Sequence, residues 1–175
     1  MRIIVSAAAM ALLAFASAAS GQFAPHVHGA GVLNIAVEGQ IVFIELLAPG
    51  SDIVGFEYQP TSDRDRKAVS VAVGRLKKGK RLFKFPEDAG CRQEEANVES
   101  GLMESDGDAK TKLSGAHAEF HARYRFRCSA SKMLNHIDLG YFSMFPRAVE
   151  LEARTITPQG QGAVALTPAS ARLTF

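Results

Sequence analysis

The sequence predicts an α+β fold, a mostly antiparallel sheet with one main helix in a single domain. Three observations predict it. Residues 117–128, His-Ala-Glu-Phe-His-Ala-Arg-Tyr-Arg-Phe-Arg-Cys, alternate polar and apolar without a break, the period of a strand with one wet and one buried face. Val32, Leu33, Ile35 and Val37 are followed by Glu38-Gly39-Gln40 and then Ile41-Val42-Phe43-Ile44-Glu45-Leu46, which reads as a hairpin. Ala68, Val69, Ala72, Val73 and Leu76 form the one clear apolar run at helical spacing.

Taken in order, residues 1–20 are expected to be a secretory signal peptide. Arg2 supplies the positive start, Ile3 to Ala16 is apolar apart from Ser6, and small residues at 16–20 suit cleavage. The apolar core is shorter than the roughly 20 residues of a membrane span, and no later stretch is long enough either. Residues 21–175 are then one exported domain. Without Arg2 the 20 basic residues become 19 against 18 acidic. Such a balance, with no basic cluster, argues against a nucleic-acid partner.

After the hairpin, Pro49-Gly50-Ser51-Asp52 breaks the chain, and Gly-Phe-Glu-Tyr (55–58) leads to a capping stretch, Thr61 to Asp65. Acids in the first turn and Lys77-Lys78-Gly79 at the close fit a helix between them. Lys80 to Phe85 alternates as a short strand, Pro86 to Gly90 turns, and Glu95 to Met103 reads as a weaker strand. Glu104 to Gly115 is polar and reads as a loop. Beyond Cys128 the expectation is a helical turn at Ser131–Asn135, strands at Ile137–Phe142, Leu151–Thr157 and Ala163–Leu166, and an edge at Arg172–Phe175.

Cys91 and Cys128 are the two cysteines. In an exported chain an even pair favours a disulfide.

Four of the five histidines fall in two short motifs, His26-Val-His28 and His117-Ala-Glu119-Phe-His121. On an extended segment i and i+2 face the same way, about 6.6 Å apart, so His26 and His28 can converge on one ion. His117 and His121 are about 13 Å apart on a straight strand and cannot share an ion without a bend. Two ligand sets follow: His26 and His28 with His117 and Glu119, or with Glu119 and His121. Either set, imidazoles plus a carboxylate, suits zinc. The order differs from the His-Glu-x-x-His of zinc proteases and sits on a strand, so that reading is rejected. His136, isolated after a turn, is expected to pair locally, and Glu57 to be a structural hydrogen-bond acceptor. With no nucleophile elbow and no phosphate loop, no enzyme is expected.

Several phrases together resemble a known family. They are His-Val-His-Gly (26–29), Leu-Asn-Ile-Ala-Val-Glu-Gly (33–39), Gly-Phe-Glu (55–57), Leu-Phe-Lys-Phe-Pro (82–86), the stretch 117–128, Phe145-Pro146 and Thr157-Pro158-Gln159-Gly160-Gln161. The chain resembles the ZrgA-type family of bacterial periplasmic zinc-binding proteins. The resemblance implies a periplasmic protein that binds zinc at one site and assists a zinc uptake transporter. It carries over to His26, His28, His117, His121 and the cysteine pair. Two features differ from the family pattern: the loop 104–115 has no histidine, and Tyr58 stands where a histidine is usual. The competing expectation is a metal-independent module that docks an envelope protein through a sheet edge.

Overall fold

The computed structural model describes residues 30–103 and 118–175. The expected signal peptide and the polar loop at 104–115 lie outside them. The chain forms a hairpin, β1 (Ala30–Glu38) and β2 (Ile41–Pro49), and then a single helical turn, α1 (Gly50–Ile53). The main helix, α2 (Asp63–Leu76), follows. A second short turn, α3 (Gly79–Leu82), leads into β3 (Phe83–Lys84) and β4 (Cys91–Ser100). After β5 (Glu119–Cys128) come β6 (His136–Leu139) and α4 (Tyr141–Met144). The chain closes with β7 (Glu150–Thr157), β8 (Gly160–Leu166) and β9 (Arg172–Thr174).

Six strands form one sheet in the order β4-β5-β2-β1-β7-β8, and β3-β6-β9 form a second, smaller one. The α+β class is as the sequence implies. All pairs are antiparallel except β1 with β7, which is parallel. One face of the large sheet is dry. Leu33, Val42, Phe120, Ala122, Phe126, Leu151 and Ala153 are fully buried on it, and each large side chain so buried stabilises the fold by roughly 1.5–3 kcal/mol.

The helix and its supports follow from named side chains. Ser62 Oγ accepts from the Asp65 N–H at 3.1 Å, capping α2. At the other end the buried Tyr124 hydroxyl donates to the Leu76 carbonyl at 2.9 Å, so β5 closes the helix that covers it. Burial pushes the Tyr124 phenol well above its ordinary pKa.

Four element expectations are corrected: β4 runs from Cys91 to Ser100 in place of the expected Glu95–Met103, β8 starts at Gly160 and not at Ala163, and two others differ as follows. The stretch from Lys80 is not a strand up to Phe85; it begins with the turn of α3. Gln93 of β4 bonds the Lys77 carbonyl and the Lys80 N–H, bracketing that turn. Gly79 lies so close that an added Cβ would meet the Tyr124 ring at 2.9 Å and the Phe126 ring at 3.0 Å. The strand expected over Ile137–Phe142 stops at Leu139, because the Gly140 N–H bonds Leu82 and the chain turns into α4.

Cys91 and Cys128 are joined by a disulfide, directly opposite each other at one end of the β4–β5 pair. Among the described residues no helix is long and apolar enough to cross a membrane.

Candidate metal centre

Strand β5 has the two faces its alternation predicts. Phe120, Ala122, Tyr124, Phe126 and Cys128 point into the core, and Glu119, His121, Arg123, Arg125 and Arg127 point outward. The arginines are neutralised within the sheet. A bulge between Gln93 and Glu95 accompanies an outward Glu94, whose carboxylate takes Arg125 and, at 2.7 Å, Arg127. Hydrogen bonding from Arg127 holds Glu94 below the usual carboxylate range, with the Arg125 and Arg92 charges adding to it.

His121 belongs to a second cluster. Its Nε2 lies 2.6 Å from Glu45 Oε1, and its Nδ1 lies 3.1 Å from an Arg123 nitrogen. Arg123 can only donate, so in this arrangement Nδ1 accepts from Arg123 and Nε2 faces the Glu45 carboxylate. Asn34 donates to the other oxygen of Glu45 at 3.1 Å, and Arg123 also reaches Glu99 at 3.2 Å. The bonds from His121 and Asn34, aided by the His121 and Arg123 charges, hold Glu45 below its ordinary pKa against a smaller burial penalty. Both ring nitrogens of His121 are therefore engaged on the side of Arg123, one row away from Glu119.

The ends of the strands carry the rest. Strands β1 and β5 flank β2, and Val32 and His121 both pair with Leu47, which puts them two strand spacings, about 9.5 Å, apart. Ala30 and Glu119 stand at the same end, two residues earlier on each strand. His26, His28 and His117 lie outside the described residues.

The loop after α1 packs at the same end. The Gly50 N–H bonds the Ala118 carbonyl at 2.5 Å. An added Cβ at Gly50 would meet the carbonyls of Ala118 and Phe56, each at 2.5 Å. Ser51 Oγ donates to Glu57 at 2.9 Å, the acceptor role expected of Glu57. Asp52 beneath it is only 3 % exposed. Burial pushes its carboxyl pKa up, the Glu57 charge adds to this, and a Ser51 hydrogen bond opposes it. His136 pairs locally, with Nδ1 2.6 Å from Asn135.

Among the described residues, no three His, Cys, Asp or Glu side chains are grouped to hold an ion. Of the expected donors, Glu119 and His121 share the outward face, and His121 is already committed to Glu45 and Arg123. Glu45 itself was not anticipated. Its signal was a lone carboxylate inside the apolar run Ile41–Leu46.

A family model described as ZrgA family zinc uptake protein matches residues 25–175. That range holds both histidine motifs, both cysteines and all the described elements. No curated protein matches the chain.

Proposed function

This chain belongs to the ZrgA family of zinc uptake proteins, and from that membership we propose that it captures zinc in the periplasm and hands it to a metal uptake system without catalysing a reaction. One observation carries the reading. The strands that follow the two histidine motifs, β1 and β5, start at the same end of the sheet, on either side of β2. Histidines together with a carboxylate make up a donor set of the kind zinc takes.

Of the two ligand sets open from the sequence, the engagement of His121 supports the first. We assign zinc to His26, His28, His117 and Glu119. His121, held by Glu45, fixes the outward face of β5 beside the site. To bind an ion through Nδ1 it would have to displace Arg123, and through Nε2 it would have to give up Glu45. The disulfide supports an oxidising compartment.

Calorimetric titration of the processed protein with zinc tests this. The expected result is a single ion per chain, with affinity falling steeply as pH drops through about 6.5, where free imidazole takes up its proton. The combined variant His26→Ala/His28→Ala should lose tight binding and keep its fold. Zinc affinity unchanged in that variant would overturn the assignment.

A further inference from the structure

The two edges of the large sheet are finished differently. Strand β4 carries Arg92, Glu94, Glu95 and Glu99 and is tied to β5 by the disulfide. Charges along an edge discourage pairing with another chain. Strand β8 carries no such charges, and among the described residues no strand pairs with its outer edge. No Asp, Glu, Lys or Arg occurs between Arg154 and Arg172. Gly160 to Ala165 are all exposed. Pro158 and Pro168 stand outside the strand, so every residue of β8 keeps its backbone N–H.

Apolar surface accompanies this open edge on both faces. Val164 is 44 % exposed on the side of the core, whereas Leu166, two residues further on, is buried. On the outer side Ile156 and Phe43 are 59 % and 41 % exposed. They line a groove of about 810 Å³ that extends to Ala163.

We propose that β8 is the contact strand of a homodimer, in which two copies pair antiparallel, edge to edge, and join their sheets into one. A two-fold contact sets a strand against itself, so a charge near the axis meets its own copy close by. A strand of Gly, Gln, Ala, Val and Leu has no such penalty. Its small side chains let a second backbone approach to the usual 4.8 Å or so. The edge also offers no charge with which to select an acidic or basic foreign strand. Pairing covers Val164 of each copy with the apolar residues of the other. A seven-residue contact falls at the small end of interface sizes, below about 1,200 Å², where association is weak and transient.

Sedimentation velocity of the processed protein, with a chelator present to exclude zinc bridging, tests this over about 1–200 μM, the range of weak interfaces. The wild type should move from monomer to dimer as concentration rises. Ala163→Lys, an exposed change on the outer face, should raise the dissociation constant at least about tenfold while leaving circular dichroism and melting unchanged. Glu95→Lys on the opposite edge should dimerise as the wild type does. A wild type that stays monomeric throughout, or an Ala163→Lys variant that dimerises equally well, overturns the proposal.

Discussion

Removing the disulfide with Cys91→Ala/Cys128→Ala should cost this protein a large share of its stability. The two cysteines are 37 residues apart in sequence and directly opposite in the sheet. Closing a loop of that length removes denatured-state entropy worth about 4 kcal/mol. Little offsets the loss, because β4 is an edge strand whose Cys91 end is held by a single neighbour. Cys128 is fully buried, so truncation there adds a packing loss. For a chain of this size about 2–4 °C of melting temperature accompanies each kcal/mol, giving a fall of roughly 8–16 °C. Denaturant and thermal unfolding of the variant, and of reduced wild type, measure it. A loss under about 1 kcal/mol would refute the reasoning, since the loop would then be closed already in the unfolded chain. Thiol labelling of the denatured, unreduced protein should find no free cysteine.

Three further perturbations test the site and its supports. Glu45 has a lowered pKa, so it contributes stability above the ordinary carboxylate value, and that stability is lost as pH falls through the lowered folded value. Glu45→Gln should flatten the acid limb of the melting-temperature profile below about pH 4.3, and parallel curves would contradict it. Asp52 has the opposite sign: its raised pKa means that stability falls as pH rises through the raised folded value. Asp52→Asn should therefore be relatively more stable at neutral pH than in acid, an advantage that vanishes toward about pH 3.9; a difference constant with pH would sink this. Tyr124→Phe strands the Leu76 carbonyl at the end of α2 and should cost about 1–3 kcal/mol in denaturant unfolding. No measurable change would mean that the hydroxyl does not support the helix.

Where the sequence was legible, the information was local. The alternation of 117–128 gave β5 and its two faces, the break at Gly39 gave the hairpin, and Ser62 with its following acids gave α2. Where it was not, a distant residue decided. Gln93, from β4, brackets α3 against a sequence that alternates like a strand. The parallel pairing of β1 with β7 depends on a crossover of more than a hundred residues, which no periodicity announces. The site divides the same way. Spacing suggested candidate donors and, on a straight strand, kept His117 and His121 from sharing an ion, but two ligand sets stayed open. What favours one set is the Glu45–His121–Arg123 cluster, which forms only because β2 and β5 pair with Glu45 opposite Arg123.

The central claim, a zinc site built at the open end of β1 and β5, is tested most directly by titrating zinc into His117→Ala and His121→Ala side by side. The account predicts unequal losses. His117→Ala removes a ligand and should weaken binding at least tenfold, or about 1.4 kcal/mol. His121→Ala removes a side chain already spent on Glu45 and Arg123 and should change affinity by less than about threefold. Equal, small losses from both would contradict the account and leave a loose histidine surface in place of a coordinated site.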